Sequence, residues 1–168
     1  MKELTAEELI HAYGLARHPE GGYFRENYRA SGLATAAEPA GLLPGPRNFS
    51  TAIYFLLPAG NRSRLHRIKS DEVWHFYLGA PLTIAQLMSD GGIVSTVLGA
   101  DIKAGQKLQH VVPAGCWFGA HHTGAAGFSF VGCTVAPGFD FKDFELGCRA
   151  ELSKQFPAAK ELIAKLTD

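Results

Sequence analysis

Long apolar runs, a paired set of cysteines and an excess of either charge are all missing from this 168-residue sequence. The most apolar stretch, AIYFLL from Ala52 to Leu57, stops at Pro58, far short of the roughly 20 residues a membrane-spanning helix needs. The N-terminus, MKELTAEELI, lacks the basic-then-apolar order of a secretory signal, so a cytoplasmic address is expected. Cys116, Cys133 and Cys148 are an odd number, widely spaced and without a C-x-x-C pair, which excludes a disulfide frame and leaves them as small buried hydrophobes. Sixteen basic residues balance sixteen acidic ones without a run of either sign, so neither a nucleic-acid backbone nor an anionic bilayer has a footprint to meet. No internal repeat is present.

What is there is enough chain for a single domain, residues 1–168, with a core that needs no staples. Thr5 followed by Glu8 forms a capping box, which predicts a first helix ending at Gly14. HPEGGYFRENYRA begins with turn residues and then alternates, placing Tyr23, Arg25, Asn27 and Arg29 on one face of a strand and Phe24, Glu26 and Tyr28 on the other. Residues 32–46 are rich in Ala, Gly and Pro and read as a loop or flap. From Asn48 to Val135 eight short β-rich runs alternate with turn residues: STAIYFLL, SRLHRI, EVWHFYLG, LTIAQLM, IVSTVLG, QHVVP, CWFGAHH and GFSFVGCTVA. That rhythm predicts an all-β sandwich or barrel. PGFDFKDFEL, with Phe139, Phe141 and Phe144, is expected to cover its mouth; then Pro157, Leu162, Ile163 and Leu166 mark a C-terminal helix.

One stretch carries the chemistry. In GNRSRLHRIKSDEVWHFYLG, Gly60, His66, Glu72 and Gly79 stand at the spacing of the first cupin motif, and PAGCWF supplies Pro113 and Gly115 of the second. With HPEGGYFRENYR, TAIYFLL and VGCTVAPGFDFKDFEL in order, nearly the whole chain resembles the cupin-5 (DUF985) group of the cupin superfamily. The resemblance implies a jelly-roll, or double-stranded β-helix, barrel with flanking N- and C-terminal helices, a pocket at one mouth, and a homodimer meeting at the HPEGGYF strand.

The resemblance also shows where this sequence departs. Two positions where such a motif carries metal-binding imidazoles are Ile68 and Phe118. Residues two apart share a strand face about 6 to 7 Å apart, so Ile68 should stand beside His66, and Trp74 and Phe76 beside Glu72. By the same parity His75 and His121 point away; His122 falls roughly 13 Å from position 118, and the direction of His110 is open. The reading that follows is a pocket without a cofactor: His66 and Glu72 as proton-transfer groups, with Tyr54, Ile68, Trp74, Phe76, Gln109 and Phe118 contacting a small organic ligand. The expected function is binding of a sugar derivative or small carboxylate, with metal-independent isomerase or epimerase chemistry on it. Its alternatives are a metal-dependent dioxygenase or decarboxylase, with a divalent ion on His66, Glu72 and a further ligand, or a ligand-sensing protein without turnover. Arg25 and Arg29 are read as ion-paired or as contacts for an anion.

Overall fold

The computed structural model describes residues 4–34, 45–122, 124 and 126–168, and each of the eight β-rich runs forms a strand in it. Among these residues the chain runs α1 (Ala6–Tyr13), β1 (Ala16–Arg17), β2 (Tyr23–Arg29), β3 (Leu33–Ala34), β4 (Arg47–Asn48), β5 (Thr51–Pro58), β6 (Arg62–Arg67), β7 (Asp71–Gly79), β8 (Leu82–Leu87) and β9 (Ile93–Leu98). It continues through β10 (Gln109–Val112), β11 (Trp117–His122), β12 (Phe128–Ala136), a 3-10 turn at Phe141–Asp143, β13 (Glu145–Leu146), α2 (Arg149–Gln155), a second 3-10 turn at Pro157–Ala159 and α3 (Lys160–Leu166). Most of the expected loop or flap, residues 35–44, lies outside the described residues; its flanks β3 and β4 pair with each other.

Two antiparallel sheets carry the fold, in the orders β1-β2-β5-β12-β7-β10 and β13-β6-β11-β8-β9. Among the described residues no ladder joins them, so the two sheets face each other without closing into a continuous barrel, an arrangement consistent with the jelly roll expected. Period-two alternation makes each strand two-sided. In β5, Phe55 and Leu57 turn between the sheets while Tyr54 and Leu56 turn outward; in β11, Phe118 and Ala120 turn inward and Trp117 outward. The inner layer joins Phe55, Leu57, Trp74 and Val131 to Leu82, Ile84, Phe118 and Ala120 across the gap. Burying each large apolar side chain contributes about 1.5–3 kcal/mol.

Helices cover the outer faces. The Thr5–Glu8 capping box forms, Gly14 ends α1 with φ 58°, and Leu9 packs on Leu56, Phe128 and Phe130 of the first sheet. Leu152, Ile163 and Leu166 of α2 and α3 pack on Leu65, Ala85 and Leu87 of the second. Among the described residues no helix is long and apolar enough to cross a membrane.

Strand β2 breaks its expected alternation. The register against β5 shifts between Glu26 and Tyr28, so Glu26 opposes Ile53 while Arg29 opposes Thr51. A bulge inserts one residue and reverses the parity beyond it. Arg29 therefore joins the face of Phe24 and Glu26, and Arg25 is left to donate from Nη1 to the Tyr13 carbonyl at the end of α1 (3.0 Å).

Candidate functional site

Between the sheets lies a cavity of about 330 Å³, walled by β2, β5, β6, β7 and β12 and by the segment carrying Phe139, Phe141 and Phe144. His66 of β6 and Glu72 of β7 reach it from opposite sheets, 2% and 7% exposed. Ile68 lines it as well, while Phe118, paired with His66 across β6 and β11, sets its ring 4.1 Å from the imidazole.

The turn between β1 and β2 brings two further ionisable groups. Gly21 and Gly22 have φ of 115° and 70°, and a Cβ on either would strike backbone oxygen, of Arg62 or of Leu56. Only glycine lets this turn lie so close to β6 and β5. Seated there, the Glu20 carbonyl accepts the Arg64 N–H (2.8 Å), and the buried Glu20 carboxyl accepts the Ser63 hydroxyl (2.7 Å). Its other oxygen lies 3.1 Å from His66 Nε2 and 3.4 Å from His18 Nδ1.

These contacts fix the proton positions. The Arg64 carbonyl can only accept, so His66 Nδ1, 2.7 Å away, carries a hydrogen. One proton then lies between Nε2 and Glu20, whichever atom holds it. Burial pushes His66 down, against the pull of Glu72 and the Arg64 carbonyl, and pushes Glu20 up, against His18, Ser63 and Arg64. Both shifts disfavour a separated charge pair and favour the neutral forms of the two groups. His18 is lowered by burial, against Glu20, and its Nδ1 accepts the Glu20 backbone N–H (3.3 Å), which puts its hydrogen on Nε2.

Glu72 is the odd member. It forms no salt bridge with any described residue, and burial lifts its carboxyl to about 7, with His66 opposing and Glu20 adding to the rise. The Cys133 thiol and the Trp74 indole favour its charged form, although Trp74 Nε1 completes no hydrogen bond of good geometry. Burial and the neighbouring carboxyls raise the Cys133 thiol well above its ordinary value, so it serves as a donor and not a nucleophile.

Several residues expected at the ligand lie elsewhere. Tyr54 has outward parity in β5 and packs among Tyr13, Tyr77 and Phe130 under α1. Gln109 sits on edge strand β10, bonded to His75 Nδ1 (2.8 Å) on the outer face. Trp74 and Phe76 do turn inward, yet both belong to the apolar core: Trp74 is 1% exposed and packs edge-on against Phe55 and Phe118. Phe118 supports His66 from behind. His18 and Glu20, expected as part of a turn or interface, instead face the cavity. Of the cysteines, Cys148 is exposed, in contrast to the burial expected, while Cys133 lies in the cavity wall.

The donor set does not fit a metal ion. A centre needs several lone pairs converging on one point. Here His66 Nε2 and a Glu20 oxygen face each other with a proton between them, and apolar side chains stand at positions 68 and 118. Of the other histidines, His18 lies in the cavity wall with its Nδ1 taken by the Glu20 N–H (3.3 Å), while four are engaged elsewhere: His75 with Thr134, His110 with Gln86, His121 with Lys165 and His122 with Gly124. Among the described residues no group of three or more His, Cys, Asp or Glu side chains is arranged to hold one.

The family model described as Cupin superfamily (DUF985) matches residues 7–147. The chain belongs to this cupin family. A curated relative, the yeast Saccharomyces cerevisiae protein named Uncharacterized protein YML079W, is 30% identical over 148 residues, 83% of this cupin and 73% of the yeast protein. Protein SO0799 from Shewanella oneidensis has a crystal structure that superposes with a TM-score of 0.87 at 38% identity, covering 99% of both chains. A hypothetical protein from Leishmania major gives 0.89 at 34% identity, covering 98% of this cupin and 99% of that chain. Oxalate decarboxylase from Bacillus subtilis matches at 17% identity and a TM-score of 0.55, over 36% of its own length, a likeness of fold alone.

Proposed function

We propose that this cupin binds a small organic molecule between its sheets and moves a proton on it, as a metal-independent isomerase or epimerase does. In this reading the two sheets are the halves of a jelly roll, and the ligand enters at the end covered by Phe139, Phe141 and Phe144. The observation that carries the proposal is Glu72, a buried carboxyl facing the cavity with no salt-bridge partner among the described residues and its proton held to about pH 7. A general base is most effective when its pKa lies near the working pH.

The chemistry balances with these groups and solvent. The Glu72 carboxylate takes the proton from a carbon next to a carbonyl, the C–H electron pair becomes the new C=C bond, and the carbonyl oxygen receives the proton shared by Glu20 and His66. When Glu72 delivers its proton to the neighbouring carbon and the hydroxyl on the first carbon returns one to the Glu20–His66 pair, the isomer forms and both groups are restored; the epimer takes in addition a solvent proton on the opposite face, with Glu72 releasing its own to solvent. No cofactor is required in this scheme. Of the ligand classes expected, a sugar derivative suits the lining better than a small carboxylate, because an ionised Glu72 would repel an anion.

Deuterium exchange tests the reading directly. Incubated in heavy water with a panel of aldoses, ketoses and their amino derivatives, the protein is expected to label one of them at the carbon beside the carbonyl. Glu72→Gln should slow labelling by about 10²–10⁴-fold, the usual contribution of a positioned acid or base. A compound that binds saturably but takes up no deuterium would instead mark a binding protein without turnover.

A further inference from the structure

The lining of the cavity carries more acid than base. Glu20 and Glu72 are its most buried carboxyls, and Glu26 and Asp140 stand nearer solvent. Apart from the two imidazoles, Arg29 is the one cation among the described lining residues. Its Nε and Nη2 donate to Glu26 (2.9 and 2.7 Å), Nη1 to Asn48 Oδ1 (2.8 Å) and Nη2 again to the Phe139 carbonyl (3.2 Å). Four of the five guanidinium N–H groups are thus committed, and the charge is matched by Glu26.

Nor do the imidazoles offer a free positive charge. His66 and Glu20 share one proton and are neutral as a pair, and His18 accepts the Glu20 N–H on Nδ1. What is left without a counter-ion is Glu72, 7% exposed and open to the cavity. Around it the walls are aromatic. Phe24 and Phe55 lie inside, and Phe139, Phe141 and Phe144 have centroids 5.0, 6.0 and 6.3 Å apart across the opening. Ring faces are the negative side of the aromatic quadrupole and attract cations, and the attraction grows as water is excluded.

We propose that the cavity selects a compact organic molecule bearing a protonated amine, an amino-substituted sugar derivative included, with its ammonium against Glu72 and its body against the phenylalanines. The inference rests on the reading above that the cavity binds a small organic ligand, and it narrows that ligand to one charge class. Neutral analogues lose the contact with Glu72. Anionic ones meet carboxyl groups and find no unpaired cation among the described lining residues.

Three probes of one shape and different charge test it: benzylamine, benzyl alcohol and benzoate, titrated calorimetrically into the intact protein at mildly alkaline pH. Benzylammonium is expected to bind about tenfold more tightly than the alcohol, with benzoate weakest. Glu72→Gln should bring benzylammonium down to the affinity of the alcohol. Phe141→Ala, at a half-exposed ring that the core does not need, should weaken the cation several-fold. Benzoate binding as tightly as benzylammonium, or a cation preference that survives Glu72→Gln, overturns the proposal. If the alcohol binds as well as the amine, charge selection falls while the small-molecule reading stands. If no probe binds at millimolar concentration, both fall.

Discussion

A buried acid that keeps its proton to about pH 7 costs the fold stability whenever it must ionise, and that cost is measurable apart from any ligand. An unfolded glutamate titrates at its ordinary value of 4.5, and Glu72 in the folded chain at about 7. Between those values the folded protein binds more protons than the unfolded one, so stability falls as pH rises through the window and levels off above it. Glu72→Gln, which cannot ionise, should therefore gain stability over the parent, by about 2 kcal/mol more at about pH 8 than at about pH 5. Urea unfolding at the two pH values checks this, and an equal effect at both would show that Glu72 is not held protonated. Glu72 and His66 were legible because each stands at a fixed spacing from framing glycines. Glu20 was not, because it acts from a turn outside the motif. Its one signal is the Gly21–Gly22 pair, which permits backbone contact without saying what the contact brings in.

Elements decide how the cavity keeps its aromatic rim. The segment with Phe139, Phe141 and Phe144 is pinned by Arg47 of β4, whose Nε and Nη2 donate to the two oxygens of Asp143 (2.6 and 2.8 Å), both residues being under a tenth exposed. Arg47 Nη1 also donates to the Pro46 carbonyl (2.9 Å). Removing one partner of such a pair strands a buried charge, at about 3–5 kcal/mol. Asp143→Ala should lose about that much in denaturant unfolding, and Arg47→Met with Asp143→Leu should recover most of it. A double variant no better than the single one would mean that the hydrogen bonds, and not the stranded charge, hold the segment. Nothing in the sequence joined Arg47 to Asp143, since long-range pairs leave no periodicity. Strand parity placed Ile68, Trp74 and Phe118 inward correctly, and failed at Arg29 because the β2 bulge adds a residue that no alternation can reveal.

At the scale of the whole molecule, β2 is the strand that bears on assembly. It pairs with β5 along most of its length, but on its other side β1 covers Tyr23 and Phe24 alone. Among the described residues nothing pairs with that edge from Arg25 to Arg29, and Tyr28 there is 54% exposed. A free edge of this length invites a second strand, and natural proteins seldom leave one uncovered. The homodimer implied by the family resemblance would cover it with the same edge of a second copy, an arrangement that twofold symmetry closes without further growth. Glu26 and Arg29, which line the cavity, lie on this strand, so pairing would also stiffen the cavity wall. Light scattering after size exclusion should give twice the mass of one chain, and Tyr28→Asp with Asn27→Pro should shift it to one. Position 27 falls at the bulge, where β2 has no register partner on β5, so proline is placed at the position of this strand where the ladder to β5 is already interrupted. A parent protein that already runs as one chain would overturn the dimer, and would leave the rim of the cavity to this chain alone.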